Sequence, residues 1–86
     1  MFDLEIEDNV IKVFKKLSKK NPQQLEAINK KIEQIRNNPK QFKPLKWPMI
    51  NIRRVHIGSF VLVYEIYEKE NLVKLLDYEH HDKIYK

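Results

Sequence analysis

Three apolar-rich runs separated by short polar turns occupy the second half of the chain, and they constrain its fold more than any other feature. The runs cover residues 50–57, 60–67 and 72–78. A glycine-serine pair at 58–59 separates the first two runs, and the polar segment 68–71 precedes the third. Short turns between strand-like runs are typical of β-hairpins. We therefore expect three consecutive antiparallel strands.

The first forty residues predict one strand and two helices. Residues 2–7 alternate strictly between apolar and acidic side chains, which is the period of a half-buried strand. Asp8 or Asn9 can then cap a first helix. Asn21 can cap a second helix, in which Gln24 closes a capping box. Apolar residues at helical spacing mark the buried sides of both helices: Val10, Val13, Phe14 and Leu17, then Leu25, Ile28, Ile32 and Ile35.

The resulting order, β-α-α-β-β-β, indicates a single α+β domain over residues 1–86. Short hairpins imply an antiparallel sheet, and an αα-hairpin packed on one face would leave the other face open. Arg54 and His56 share one side of the first run, and we expect both on the open face. The apolar row of the second run should meet the helices: Phe60, Leu62, Tyr64 and Ile66.

Charge is unevenly distributed along the chain. Between residues 9 and 64 there are thirteen basic and only two acidic residues. This clustering favours a polyanionic partner, although a solvated lysine-rich surface has the same composition. The absence of cysteine excludes disulfides and thiolate zinc sites. No membrane-span or signal-peptide pattern is present, so we expect a cytoplasmic protein with no membrane partner.

The C-terminal segment concentrates groups that can move protons. His80 and His81 are adjacent, and Tyr85 follows four residues after the second histidine. Histidine both accepts and donates protons near neutral pH. A solvated turn is the simpler explanation of the histidine pair. A metal site that includes His56 is disfavoured, because adjacent residues on an extended backbone point to opposite sides. No metal or other cofactor is therefore expected.

Two segments of the chain resemble a known family. Residues 53–64 read RRVHIGSFVLVY, and residues 75–85 read LLDYEHHDKIY. These segments resemble the RelE/ParE superfamily of toxins from type II toxin–antitoxin systems, and most closely archaeal RelE and the YoeB and YafQ toxins. The resemblance covers residues 42–85 in detail. Over the first forty residues it consists of the order of strand and helices.

The resemblance implies a ribosome-dependent mRNA endonuclease that inhibits translation and is held inactive by a RelB-like antitoxin. Carried over by position, Arg54 and His56 match the first pair of basic active-site residues. His81 matches a catalytic position, and Tyr85 matches the aromatic residue that stacks on or orients the target base. Val61 departs from the pattern, since many RelE toxins have an arginine there.

Metal-free RNA cleavage through the 2′-hydroxyl needs a base, an acid and cations that stabilise the phosphorane. We expect His81 to act as general acid or base, with His56 or His80 as the second proton site. Arg54 would hold the phosphate with its planar guanidinium. The phosphate-binding role of the arginine that many RelE toxins have at position 61 is either vacant in this chain or has moved to another basic residue: Lys46, Arg53 or Arg54.

Two other interpretations remain open at the level of sequence. A ParE-like protein that poisons DNA gyrase by binding it would need no proton-transfer groups. A catalytically weakened relative that binds only RNA or antitoxin would agree with Val61. The pattern of His81 and Tyr85 favours the nuclease. Its expected partners are the antitoxin, the ribosome and mRNA, without a small-molecule cofactor.

Overall fold

The computed structural model describes residues 1–46, 48–49 and 51–84. Its elements follow the predicted order and confirm the α+β class. Among the described residues, every helix is too short or too polar to traverse a bilayer. The elements are β1 (Asp3–Ile6), α1 (Asp8–Lys20), α2 (Pro22–Asn37), a 3₁₀ turn (Pro39–Gln41), β2 (Lys43–Pro44), β3 (Ile52–Ile57), β4 (Phe60–Tyr67), β5 (Leu72–His80) and α3 (His81–Ile84).

Five strands form one sheet in the order β1-β5-β4-β3-β2. The β3–β4 and β4–β5 pairs are antiparallel, as the two short turns predict. β1 is parallel to β5, with Asp3 opposite Leu72 and Ile6 opposite Leu75, so the sheet is mixed rather than purely antiparallel. A tight turn fixes the relative direction of two strands. β1 has no such turn, because two helices connect it to the rest of the sheet, and a long connection permits parallel pairing.

Both helices pack on one face of the sheet, as predicted, and the hydrophobic core lies between the two layers. Burial of this apolar surface is the main favourable contribution to folding. From the helices, the buried core residues are Val10, Ile28, Ile32 and Ile35. From the strands, they are Val55, Leu62, Tyr64, Ile66, Val73, Leu75 and Tyr78.

Helix α2 begins with the predicted side-chain cap. The side-chain oxygen of Asn21 accepts a hydrogen bond of 3.1 Å from the backbone N–H of Gln24. The second half of the predicted capping box was wrong. The Gln24 amide donates instead to the Tyr78 hydroxyl at 2.6 Å, and the Asn21 backbone N–H donates to the Leu17 carbonyl. Gln24 therefore ties the start of α2 to β5.

Helix α1 starts at Asp8, one or two positions before the start that the two predicted caps imply. The Glu7 carbonyl accepts the first backbone hydrogen bonds of the helix, so the predicted caps Asp8 and Asn9 were both wrong. The Asn9 amide instead donates to the Leu76 carbonyl at 3.3 Å. Leu76 is the extra residue where the β4–β5 register shifts, so this contact joins α1 to an irregular point of β5.

The turn between β3 and β4 contains the only glycine of the chain. Gly58 has φ of 60°, a left-handed backbone conformation that costs glycine little. β5 extends to His80, two residues beyond the predicted end, and the chain then turns into α3. The sequence did not predict this short helix. The tight turn and α3 lie at the same end of the sheet, where the His81 N–H donates to the Ser59 carbonyl at 2.8 Å.

Tyr64 makes the stability of the core sensitive to alkaline pH. Its side chain is fully buried, and its hydroxyl donates to the Pro39 carbonyl at 2.6 Å. Burial raises the pKa of this hydroxyl, against a smaller opposing effect of the nearby Arg53 charge. The folded chain therefore holds the phenol proton more tightly than the unfolded chain. The contribution of this proton to the free energy of unfolding is therefore fully present below about pH 10. At higher pH the free energy of unfolding decreases, by up to about 1.4 kcal/mol per pH unit.

We expect Tyr64→Phe to lower the free energy of unfolding by about 1–3 kcal/mol near neutral pH, because the buried Pro39 carbonyl loses its donor. Above about pH 10, the variant should lose stability less steeply than the wild type, since it has one fewer shifted phenol. Urea unfolding of both proteins on either side of that pH measures the difference. Identical slopes would contradict the assigned role of Tyr64.

Candidate functional site

The open face of the sheet carries two basic residues from β3. Val55 is buried in the core, and strand alternation directs its neighbours Arg54 and His56 to the opposite face. His56 is exposed, and Arg54 is half-buried. In the register with β4, Arg54 lies opposite Val63 and His56 lies opposite Val61. The predicted assignment of faces is confirmed for this strand.

Helix α3 brings His81 to the same face. The hydrogen bond from its N–H to Ser59 holds the start of the helix against the β3–β4 turn. The imidazole rings of His56 and His81 lie 5.7 Å apart between centroids, with their planes inclined by 35°. Two histidines from distant parts of the sequence thus form one unit, the His56–His81 pair.

A groove of about 790 Å³ lies next to this pair, between α3 and the segment that contains β2. β2 pairs with β3, so Lys43 stands directly opposite Arg54. The groove combines cations that can neutralise phosphates with an apolar wall that can contact a nucleobase. Its cations are Lys43, Lys46 and Arg54, and its apolar side chains include Leu45, Met49 and Ile84.

His80 lies outside the His56–His81 pair. Its ring meets the Phe60 ring edge-on, with 5.4 Å between centroids, and Phe60 packs against the core. Its Nδ1 accepts a hydrogen bond of 3.2 Å from the Asp82 backbone N–H, in the first turn of α3. The two adjacent histidines are therefore divided between the two sides of the strand end, and His80 supports α3.

Arg53 is separated from Arg54 in the same way. One of its guanidinium nitrogens donates to the Phe42 carbonyl at 2.8 Å and to the Lys40 carbonyl at 3.1 Å. Its partner in the β4 register is Tyr64, whose ring belongs to the core. Arg53 thus fastens the segment before β2 to the sheet. Of the residues predicted to bind phosphate, Lys46 and Arg54 line the groove, whereas Arg53 does not.

The chain matches a known protein family over almost its whole length. A family model described as ParE toxin of type II toxin-antitoxin system, parDE, matches residues 3–85. The chain belongs to this toxin family. Its membership confirms the superfamily that the two sequence segments indicated, which is RelE/ParE.

The toxin has relatives that align over nearly its whole length. An uncharacterized protein of Methanosarcina mazei is 49% identical over 86 residues, which cover 99% of this chain and 100% of the relative. A protein of Methanocaldococcus jannaschii with the name “Putative toxin RelE4” is 44% identical over 87 residues. That match covers 100% of this chain and 93% of the relative.

Solved structures share the fold of this toxin. The metal-bound toxin from Helicobacter pylori has a TM-score of 0.78 and 25% identity, with coverage of 99% of this chain and 100% of that chain. The toxin in the intact E. coli RelBE toxin–antitoxin complex has a TM-score of 0.76 and 17% identity, with coverage of 93% and 96%. The layers and strand order described above are therefore those of the RelE/ParE fold.

Position 61 of the toxin departs from the family resemblance, and the structure shows what the valine does. Val61 is fully buried, although it stands between His56 on β3 and Glu79 on β5 in the register of the sheet. A buried valine supplies no charge to a phosphate. The cations of this face lie instead along the groove: Lys43, Lys46 and Arg54.

Sequence reasoning missed several residues around the toxin's candidate site. Lys43 and Met49 belong to a proline-containing segment without a recognisable strand period. Its strand β2 has only two residues, Lys43 and Pro44, which is too short for alternation to reveal. Ile84 follows His81 by three positions, and this helical spacing is the one signal that could have revealed α3. Asp82 Oδ1 lies 3.6 Å from Nδ1 of His81, a proximity that the sequence did not suggest.

Tyr85, which the sequence analysis places among the candidate site residues, lies outside the described residues. The predicted role of Tyr85 in base stacking thus stays a prediction. Within the described ranges, no cluster of three or more histidine, aspartate or glutamate side chains is arranged to hold a metal ion.

Proposed function

We propose that this toxin is an endoribonuclease that cleaves mRNA on the ribosome and so inhibits translation. The His56–His81 pair carries the proposal, because its rings lie 5.7 Å apart next to the groove that contains Arg54. Two imidazoles and a guanidinium supply the base, the acid and the fixed positive charge that metal-free RNA cleavage requires. The reaction needs no cofactor.

The proposed reaction uses the 2′-hydroxyl of the RNA as its nucleophile. The 2′-oxygen attacks the adjacent phosphorus and loses its proton to one imidazole, while the other imidazole donates a proton to the leaving 5′-oxygen. The P–O5′ bond breaks, which leaves a 2′,3′-cyclic phosphate and a 5′-hydroxyl. The entering 2′-oxygen and the leaving 5′-oxygen stand on opposite sides of the phosphorus. Two separate imidazole rings can therefore serve the two proton transfers better than a single ring. We assign one proton transfer to His81 and the other to His56.

Cations along the groove hold the RNA strand in this proposal. Arg54 stabilises the charge that develops on the phosphorane, since a guanidinium presents two parallel donors to phosphate oxygens. Lys43 and Lys46 neutralise the neighbouring phosphates. The apolar wall formed with Met49 and Ile84 contacts a base. Tyr85 adds stacking that is worth about 1–3 kcal/mol per base.

Replacement of one 2′-hydroxyl tests the chemistry directly. Ribosomes programmed with an mRNA are incubated with the toxin, and the 5′ ends are mapped to find the cleaved bond. The same mRNA with a 2′-deoxynucleotide 5′ to that bond should stay intact at that bond, because the nucleophile is missing. A deoxynucleotide three positions away is the matched control and should not protect. Cleavage of the deoxy-substituted bond would refute the mechanism.

The same preparations separate the nuclease from the gyrase poison. Cuts that keep a fixed phase with the codons, and that disappear when the mRNA is offered without ribosomes, support a ribosome-dependent enzyme. The family model that matches this chain is named for ParE, so gyrase supercoiling is measured in parallel. Inhibited supercoiling with intact mRNA would favour the gyrase poison. Growth arrest with neither effect would favour a relative that only binds RNA or antitoxin.

An antitoxin is the second proposed partner, consistent with membership of a toxin–antitoxin family. We expect an acidic, partly helical segment that lies over the open face. Acidic side chains would pair with the groove cations Lys43, Lys46 and Arg54, and apolar anchors would enter the groove near Met49, which is half exposed. Such a segment would exclude RNA from the His56–His81 pair. The expected antitoxin is a small acidic protein that is encoded by a gene adjacent to that of this toxin and that copurifies with the toxin.

A further inference from the structure

A second cleft lies at the end of the sheet where β3 turns into β4, on the side of the sheet that the helices cover. This α2 cleft has a volume of about 440 Å³ and lies between the first turns of α2 and the β3–β4 turn. The volume is within the range of about 300–1,000 Å³ that is usual for ligand sites. In the part of the chain that the structure describes, its lining is entirely uncharged. Because phosphates are held by cationic side chains, the α2 cleft is suited to a neutral group.

An apolar floor and several carboxamides line the α2 cleft. Ile57 and Phe60 are half-buried, pack against the core and form the floor. The carboxamides of Asn21 and Gln24 stand at one side and hydrogen-bond to each other at 3.2 Å. Gln23 is exposed, and its side chain makes no hydrogen bond to any other described residue. The carboxamide of Gln23 therefore offers both a donor and an acceptor to a ligand.

This lining matches the chemistry of a nucleobase. A base has two flat apolar faces and an edge of hydrogen-bond donors and acceptors. Proteins that read single-stranded RNA stack such bases on aromatic side chains and hydrogen-bond to their edges. A glutamine carboxamide pairs with base edges because it presents a donor beside an acceptor. An acidic peptide would find no cation in the described lining of the α2 cleft, and an apolar peptide would use only its floor.

The α2 cleft is separated from the His56–His81 pair only by the β3–β4 turn. Ile57 on the floor directly follows His56 in β3, and strand alternation places the two side chains on opposite faces. Ser59 lines the cleft with its side of the turn, and its carbonyl accepts the hydrogen bond from the His81 N–H. An RNA strand that is bound at the pair therefore needs only to cross this turn to bring a base into the cleft.

The floor of the α2 cleft also contacts residues that hold α3. The Phe60 ring stacks on the Tyr78 ring, with 5.2 Å between centroids and an angle of 12° between planes. The same ring meets His80 edge-on, and His80 supports the first turn of α3. Gln24 donates to the Tyr78 hydroxyl at 2.6 Å. A base in this cleft would thus press on the residues that position the catalytic segment.

We propose that the α2 cleft receives one nucleobase of the substrate RNA, from a nucleotide that flanks the cleaved bond. The base lies on the floor formed by Ile57 and Phe60, and Gln23 hydrogen-bonds to its edge. The contact selects which bond of the mRNA reaches the His56–His81 pair. This inference rests on the proposed function for the identity of the RNA as a substrate, whereas binding of a base is measurable without any cleavage.

Titration with a mononucleotide tests whether a base enters the α2 cleft. Adenosine 5′-monophosphate and ribose 5-phosphate carry the same phosphate, and only the first has a base. Adenosine 5′-monophosphate should shift the NMR signals of the Gln23 and Gln24 side-chain amides, with a dissociation constant on the order of 1 mM. Ribose 5-phosphate should leave these signals unchanged. Ala27→Phe, which fills the cleft from α2, should abolish the shifts, and Gln34→Leu at the other end of α2 should retain them.

Cleavage on programmed ribosomes tests whether that base belongs to the substrate. The mRNA carries an abasic ribonucleotide at one flanking position at a time. At one of these positions, loss of the base should lower the rate of cleavage by wild-type toxin about 5–150-fold, the fold-change that corresponds to stacking of one base. Ala27→Phe and Gln23→Leu should cleave the complete and the abasic mRNA at similar, reduced rates. The matched control Gln34→Leu should keep the dependence on the base.

Two results would overturn the proposal. Equal effects of the two small molecules on the cleft amides, or no effect of either, would show that the α2 cleft does not hold a base. A cleavage rate that is indifferent to every flanking base, or a dependence that both cleft variants retain, would show that the base is not one of the substrate. Thermal unfolding verifies that the variants are folded, and Gln23→Leu changes only an exposed side chain. Failure of the nuclease proposal is distinguishable, because mRNA then stays intact while the mononucleotide still shifts the cleft amides.

Discussion

His81→Ala is expected to reduce mRNA cleavage on programmed ribosomes by about 10²–10⁴-fold, because a positioned acid or base contributes an effect of that size. The rate of appearance of the cleaved 5′ end, measured at saturating toxin, gives the comparison. The variant should remain folded, since the side chain of His81 is half exposed and makes its ring contact with His56 on the surface. His56→Ala should cause a loss of similar order. The double variant should be little worse than either single one, because the two rings act in one reaction.

The neighbouring histidine provides a matched control for this experiment. His80→Asn removes an imidazole from the same dipeptide and retains an acceptor for the Asp82 N–H, the contact that His80 makes in the structure. Cleavage by this variant should stay within about threefold of the wild type, in contrast to the catalytic losses above. If His80→Asn and His81→Ala were equally inactive, or if His81→Ala retained full activity, the His56–His81 pair would not be the catalytic unit.

Arg54→Gln is expected to lower the cleavage rate by about 10²–10³-fold, the usual cost of removing one donor that stabilises a developing oxyanion. The free energy of unfolding should change little, since Arg54 lies in the open groove rather than in the core. Arg53→Gln should give the reverse result. Its guanidinium donates to the Phe42 and Lys40 carbonyls, and loss of such charged hydrogen bonds costs about 1.5–3 kcal/mol of stability.

Two adjacent arginines thus serve as controls for each other. Urea unfolding reports stability, and initial cleavage rates below the unfolding transition report catalysis. The expected outcome is an inactive but stable Arg54 variant and an active but less stable Arg53 variant. The opposite assignment, or a parallel loss of rate and stability in both variants, would show that the residues do not occupy opposite faces of β3 as the structure has them.

Local sequence patterns predicted most of the elements of this fold. Helical spacing identified α1 and α2, and short polar turns identified the β3–β4 and β4–β5 hairpins. The Asn21 cap of α2 followed from the residues around its first turn. These features depend on contacts between residues that are close in sequence, so the pattern alone contains the information. The predicted caps of α1 were wrong, because the helix already begins on the Glu7 carbonyl and the Asn9 amide donates to Leu76 and Asp77 on β5.

The candidate site was predicted less completely. Alternation gave the correct face for Arg54 and His56, and the family resemblance selected His81. The groove was missed, because β2 has only two residues and its pairing with β3 is a long-range contact. The parallel direction of β1 was missed for a similar reason, since no tight turn connects it to its partner β5.

The amino-acid order by itself determined which segments are helices or strands, which side of each is apolar, and to which superfamily the chain belongs, because periodicity and motifs are local properties. Only the tertiary structure decided which of the two adjacent histidines shares the open face with Arg54 and His56. That choice depends on how β5 ends and how α3 turns back over the sheet. The path of the backbone in this region is fixed by hydrogen bonds between residues that are distant in sequence, such as the one from the His81 N–H to the Ser59 carbonyl.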